Sequence, residues 1–319
     1  FKLNYALPGH ESKSHYLAVF TTTPWTLPGN MAIAINKNEK YYAKIDDTSV
    51  TFFIIKKDDT TKYDIVIDGN ELVGLTYQPL FTNMLNFTND KMFIVYHGDF
   101  VTTDVGTGVV HVAPLFGEDD YQLCINNKVI DDEKRAIKEN DYLNSACEID
   151  DRIGLKFDPN YVKTVCYQFN NKIIRYIQDH QSENFIETKQ VAHSYPHCWR
   201  TGVPLVYRAT AAWYVTVSKF KDELVDLNKQ INWYPKNIGT GRFHEWLANA
   251  RDWNISRSRY WGVPIPVWTS TTSSKYIVVK SPQHLEQLCN LEANTITDLH
   301  RDKIDHLTFE FEGETYTRI

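Results

Sequence analysis

The sequence has no Cys-x-x-Cys pair, and its five cysteines (Cys124, Cys147, Cys166, Cys198 and Cys289) are odd in number and irregularly spaced. No disulfide framework follows from them. A reduced, intracellular compartment is the better reading, with the cytoplasm as the expected location. No apolar run is long enough to span a bilayer and no secretory core is present, so no membrane partner is expected. Positive charge is also short: 34 Lys and Arg stand against 40 Asp and Glu, a formal net charge of −6. A sequence-blind nucleic-acid binder would be basic. A domain that accepts one nucleic-acid end delivered by a larger body need not be. There is no internal repeat and no extended low-complexity tract. The chain starts at Phe1 and reads as a piece of a longer protein. Its 319 residues, 42% hydrophobic, suffice for one large or two ordinary domains.

Two stretches carry the chemistry. In the first, TTTPWTLPGN (Thr21 to Asn30), three threonines follow the apolar run Tyr16 to Phe20. On a strand, Thr21 and Thr23 would share one face and Thr22 the other. Pro24 removes a donor and discourages further pairing. The backbone around Thr23 is therefore expected to offer polar groups that no ladder claims. Pro28-Gly29 reads as a turn. Beyond it, Met31, Ile33 and Ile35 alternate with Ala32 and Ala34, a face small enough for a ligand to approach the backbone. The second stretch is GTGVVHVAPLFGEDDY (Gly106 to Tyr121). It reads as a turn, a short buried strand containing His111, and a helix from Asp119 to Val129 opened by three carboxylates. Acids suit a helix N-terminus, and an anion beside a pocket can also hold an ammonium group.

Around these, β-rich runs between Tyr41 and Val66, a turn at Asp68-Gly69-Asn70 and a strand at Met92 to Tyr96 suggest a barrel or half-open sheet. Residues 131–151 read as a charged surface excursion. Phe169, Ile173, Ile174 and Ile177 form a helical stripe within Tyr167 to His180. Leu205 to Val217 reads as a strand and Ser218 to Ile231 as an amphipathic helix with Phe220, Leu224 and Leu227 inward. Composition then shifts, and Trp233 to Trp268 holds five of the eight tryptophans. Helices are expected within Gly239 to Ala250 and Pro282 to Glu292, a polar linker at Thr269 to Ser274, and a hairpin about Glu312-Gly313.

The two motifs together resemble those of the editing domain, the connective insertion, of isoleucyl-tRNA synthetase of the eukaryotic cytoplasmic type. The valyl and leucyl relatives carry Arg where this chain has Thr23 and typically lack the histidine of the GTG strand. PHCWR (Pro196 to Arg200) and NISRSRYWGVPIP (Asn254 to Pro266) resemble the same enzyme. The class I synthetic signatures, His-x-Gly-His and a KMSKS-like loop, are absent. The resemblance implies an α+β fold with a β-barrel-like editing core and peripheral helices, followed by a smaller mixed segment. Its parts would be an entering strand or linker over residues 1–14, the editing domain over 15–205 and a return segment over 206–319.

The implied activity is hydrolysis of valine from mischarged tRNA(Ile), and possibly of valyl-adenylate. No cofactor is needed in this piece, since ATP serves only the synthetic site of the whole enzyme. The implied partners are the valine-bearing 3′ end of tRNA(Ile) and the catalytic body of the parent synthetase, with the chain a monomer. By the same resemblance, Asp120 would bind the valine ammonium. His111 would contact the ribose or block the extra methyl of isoleucine. Thr21, Thr22, Thr23 and Thr26 would position the terminal adenosine, the ester and the attacking water. Trp25 would shape the pocket or stack near the adenosine. No residue is assigned as general base. Arg251, Arg257 and Arg259 would meet tRNA phosphates or the parent body. All this requires His111 and Asp120 to face the threonines across a cavity sized for a small branched amino acid.

Taken singly, each residue has an ordinary explanation: β-propensity for the threonines, an interior hydrogen bond for His111, a helix N-terminus for the acids, core for Trp25. Two other functions stay open. One is a non-catalytic tRNA-positioning module. The other is a metal-assisted hydrolase built on His193, His197 and Cys198, although Pro196 interrupts the helical spacing and no acidic partner is present. Elemental analysis of the purified protein addresses the last: no metal in proportion to protein is expected, and a stoichiometric one would revive it.

Overall fold

The computed structural model describes residues 1–53, 63–81, 89–104, 106–131, 136, 139–256 and 264–319. They form two compact units, Phe1–Thr210 and Ala211–Ile319.

In the first unit the strands are β1 (Ser14–Leu17), β2 (Ala32–Ile35), β3 (Lys40–Ile45), β4 (Ser49–Phe53), β5 (Ile65–Asp68), β6 (Val95–His97) and β7 (Val109–Val112). Its helices are α1 (Gly69–Leu72), α2 (Glu118–Asn126), α3 (Asp151–Phe157) and α4 (Cys166–His180). The α+β class is as expected. Among the described residues, however, the strands make two sheets, ordered β1-β4-β3-β5 and β6-β2-β7, and not one closed barrel. The turn expected at Asp68-Gly69-Asn70 opens α1 instead, because Asp68 and Glu71 form a reciprocal capping box.

All four residues of β2 are buried. Ile33 and Ile35 join an apolar cluster with Trp25, Leu27, Val109 and Phe169, whereas Ala32 and Ala34 join a second with Met31, Met92, Leu123 and Cys124. The alanine face is therefore not a ligand approach. Its small side chains admit α2, which buries Leu123 and Cys124 in that second cluster. Residues 1–14, expected as an entering strand or linker, give Phe1 and Leu3 to the core. The excursion expected at 131–151 likewise buries Tyr142, Leu143 and Ile149: its charges flank an apolar pair that a charge count overlooks. The helical stripe holds, with Phe169, Ile173 and Ile177 fully or nearly buried along α4.

The second unit contains β8 (Tyr214–Val215), β9 (Trp253–Asn254), β10 (Val267–Ser270), β11 (Tyr276–Val278), β12 (Phe309–Phe311) and β13 (Glu314–Arg318). It also contains α5 (Lys221–Asn228), α6 (Asn237–Thr240), α7 (Arg242–Ala248), α8 (Pro282–Leu288) and α9 (Arg301–Ile304). Its main sheet runs β11-β10-β13-β12 over a core of Trp268, Leu285, Ile304, Phe309 and Tyr316. The hairpin about Glu312-Gly313 is present, with both residues at positive φ, as a two-residue turn demands. The polar linker expected at Thr269 to Ser274 is instead the end of β10 and the turn into β11. Only Tyr214 and Val215 of the strand expected over Leu205 to Val217 pair as one. In the helix expected from Ser218, Phe220 and Leu227 are exposed.

Phe169 has no exposed surface and meets Phe157 and Tyr161 edge-on. Phe169→Ala should destabilise the first unit by about 3–5 kcal/mol in denaturant unfolding.

Candidate functional site

Residues 18–23 leave β1 and lead into a 3₁₀ turn, Pro24–Gly29. They are not strand, so the two-residue alternation expected for Thr21 to Thr23 does not apply. The Thr21 hydroxyl accepts the Thr23 N–H at 3.1 Å. The Thr23 carbonyl accepts the Thr26 N–H at 3.0 Å and the Thr26 hydroxyl at 2.9 Å. The polar groups around Thr23 are thus claimed locally by neighbouring threonines. Trp25 is only 4% exposed, with its ring against Phe116 at 4.8 Å between centroids. Its N–H donates to Asn170 Oδ1 of α4 at 2.9 Å, and its carbonyl accepts the Tyr142 hydroxyl at 3.0 Å. Burial places Trp25 in the core beneath the threonine turn and disfavours the expected stacking near an adenosine, which needs an exposed ring face.

The second motif meets the first through β7. Gly106 and Gly108 take positive φ, and a Cβ on Gly106 would fall 2.9 Å from Phe20 Cδ1. The glycine is what lets this loop close on the residue before Thr21. Antiparallel pairing sets His111 opposite Ile33, and His111 Nε2 lies 2.9 Å from Thr26 Oγ1. Thr26 has one hydroxyl proton, directed at the Thr23 carbonyl. His111 must then donate from Nε2–H, which leaves Nδ1 a bare acceptor with no partner among the described residues. At the end of β7, Asp120 Oδ2 accepts the Ala113 N–H at 2.8 Å. A Cβ on Gly117 would sit 2.8 Å from Asp120 Cγ, so glycine there lets the carboxyl fold back.

Burial sets the charge states. It drives the His111 imidazole down from 6.5 to about 4. It pushes the Asp120 carboxyl up from 3.8 to about 6, assisted by Asp119 and opposed by the Ala113 N–H. Near neutral pH the histidine is neutral and the aspartate ionised. The two contributions to stability run in opposite directions in acid. His111 takes its proton more readily when unfolded, so stability is lost as pH falls from 6.5 towards about 4. Asp120 takes its proton more readily when folded, so stability is gained as pH falls through about 6 towards 3.8.

A cleft of about 610 Å³ in the first unit is lined by Thr21, Thr22, Ser49, Thr51, Asn170 and Asn171, among others. Its lining includes neither His111 nor Asp120. The expected facing of His111 and Asp120 to the threonines across a cavity is therefore not seen among the described residues: Thr26 and His111 are in contact and buried, Asp120 is tied to the end of the same strand, and Thr21 and Thr22 line a cleft that includes neither His111 nor Asp120. Sequence reasoning missed Asn170 and Tyr142, which hold the Trp25 backbone. Asn170 carries no local signal, whereas the apolar pair Tyr142-Leu143 was a visible hint of burial.

The family model of class I tRNA synthetases (I, L, M and V) matches residues 17–319. This chain belongs to the class I tRNA synthetases. It is 40% identical over 304 residues to the cytoplasmic isoleucine–tRNA ligase of Saccharomyces cerevisiae, covering 92% of this chain and 27% of that protein. It is 38% identical to the isoleucine–tRNA ligase of Tetrahymena thermophila over 93% of this chain and 27% of that one. The chain thus spans about a quarter of the length of these relatives. A solved P. knowlesi cytosolic leucyl-tRNA synthetase editing domain is a distant likeness, 15% identical with a TM-score of 0.34 over 54% of this chain and 83% of that one.

Elsewhere in this synthetase chain, Arg251 lies on the surface of the second unit, and Arg257 and Arg259 fall outside the described residues. His193 and His197 are exposed, each with Nδ1 near a carbonyl two residues back. Among the described residues no group of three or more His, Cys, Asp or Glu is arranged to hold a metal ion. Nitrogen-15 NMR of the synthetase chain should find His111 in the Nε2–H form at neutral pH and protonated only near pH 4. Titration near 6.5 would contradict the buried contact.

Proposed function

We propose that this chain is the editing insertion of an isoleucyl-tRNA synthetase and hydrolyses valine from mischarged tRNA(Ile), with valyl-adenylate as a second substrate of the same pocket. The observation that carries the reading is the 2.9 Å contact between Thr26 and His111, which joins the two motifs whose wording resembles that family. Hydrophobic discrimination of one methylene is limited to roughly 150-fold, a figure whose standard worked case is this same enzyme family. A second site that hydrolyses the smaller amino acid is the remedy.

In the reaction, a water oxygen attacks the ester carbonyl carbon and the carbon–oxygen bond to the terminal ribose breaks. The ribose oxygen takes up a proton, and valine and free tRNA leave. Asp120, ionised above about pH 6, holds the valine ammonium. An acid engaged in that way is poorly placed to deprotonate water, so no general base is assigned to it. Thr21, Thr22 and Thr23 orient the ester and water, as positioning alone can supply much of such a rate. His111, assigned by the resemblance to limit the amino-acid branch, is neutral and buried outside the lining of the threonine cleft and reaches the threonine turn through Thr26. Thr26 fixes the ring through Nε2.

The 3′ end of tRNA(Ile) and the catalytic body of the synthetase are the proposed partners, in the cytoplasm. The second unit supports a docking role for its aromatics: Tyr234 is 97% and Trp246 76% exposed. Arg251, and Arg257 and Arg259 from the sequence, are the proposed phosphate contacts.

A deacylation assay on Val-tRNA(Ile) tests the reading. Wild-type chain should release valine, faster as pH rises through about 6. Asp120→Ala should lose at least about tenfold, the worth of one charge-assisted contact. Undiminished tRNA binding with no hydrolysis by the wild type would favour the positioning module instead.

A further inference from the structure

We propose that Cys147 and Cys166 are an oxidation site, the pair closing to a disulfide when the protein meets a small-molecule disulfide such as oxidised glutathione. Residues 143–149 form a tight hairpin, with Leu143 bridged to Ile149 and Cys147 at positive φ closing the turn on Asn144. The outer side of this hairpin pairs antiparallel with the start of α4. Glu148 is bridged to Val165, Ile149 N–H donates to the Thr164 carbonyl at 2.8 Å, and Cys166 N–H donates to the Cys147 carbonyl at 3.0 Å. The two cysteines are therefore directly opposed. They share one backbone hydrogen bond, the Cys147 N–H turning instead to the Asn144 carbonyl, and a 3.0 Å N–H···O contact between two residues brings their Cα atoms close to the roughly 4.4–6.8 Å window of natural disulfides. Cys166 is fully buried in the larger apolar cluster, and Cys147 is half-buried against that cluster.

Both cysteines are free thiols in the structure, and neither has a role in the proposed hydrolysis. Cys147, the more accessible, attacks the disulfide first. Its sulfur bonds one glutathione sulfur and the other glutathione leaves as thiolate. Cys166 then displaces the second glutathione from Cys147, closing the protein disulfide. Two protein thiols are oxidised, one glutathione disulfide is reduced to two thiols, and the two cysteine protons end on the glutathiones. Burial, with Cys147 beside it, raises the Cys166 thiol to about 11, so closure rather than attack is slow and quickens with pH. The other groups whose charge couples to Cys166 are Tyr142, Tyr195 and Arg208, the last itself paired with Asp141.

The cross-link would tie the first residue of α4, one turn before Asn170, to the hairpin. Asn170 holds the Trp25 N–H. Oxidation thus reaches the floor of the threonine turn without touching any residue proposed to meet substrate.

The test is to incubate the native chain with oxidised glutathione and map disulfides by mass spectrometry after alkylation and proteolysis. The expected product is lighter by two hydrogens, with one peptide pair joining Cys147 to Cys166, formed faster at higher pH. Cys147→Ser should abolish it, and Cys124→Ser should leave it intact. A stable glutathione adduct on Cys147, a different pair, or no reaction in the wild-type chain would each overturn the proposal, irrespective of whether the chain hydrolyses Val-tRNA.

Discussion

The first unit depends on a strand buried on both faces. β2 lies between two apolar clusters, with Ile33 and Ile35 turned to one and Ala32 and Ala34 to the other. A shift of one residue would exchange those faces and put isoleucines where α2 needs alanines, so the register against β7 is held firmly. That register sets His111 opposite Ile33, on the side where Trp25 packs. The contact between Thr26 and His111 follows from apolar burial more than from any attraction between the two.

The cost of this arrangement is electrostatic. An imidazole and a carboxyl are taken out of water within ten residues of each other, and the two are displaced in opposite directions. The imidazole is held neutral and keeps one nitrogen without a partner, a deficit on the order of 1–3 kcal/mol. The carboxyl keeps its charge near neutral pH with backbone N–H groups, those of Ala113 and Asp120 itself, donating to it. Groups held this way contribute little to stability near neutral pH, and side chains perturbed in this manner recur at functional sites as well as in structural networks.

The second unit has a different economy. It closes a small core about Trp268 and Phe309, yet leaves Trp246, Trp253 and Tyr234 largely in solvent. The chain spans about a quarter of the length of the relatives it matches. Class I membership is a property of nearly the entire chain, since the family match runs from residue 17 to 319.

The sequence by itself determined the motifs, the helix stripe Phe169-Ile173-Ile177, the hairpin at Glu312-Gly313 and the α+β class. These are signals carried by near neighbours: helical spacing, turn residues, alternating apolar positions. It also placed Thr26, His111 and Asp120 among the residues of interest, through the wording of two short peptides. Tertiary structure alone decided that the alanines of β2 face a second core, that Tyr142 and Asn170 brace the Trp25 backbone, and that the described strands of the first unit form two sheets. It also decided that Trp25 is buried and that the cleft beside Thr21 excludes His111. Each of these turns on which distant segment lands against which face, and local composition reads alike whether a small or charged stretch meets solvent or another part of the chain.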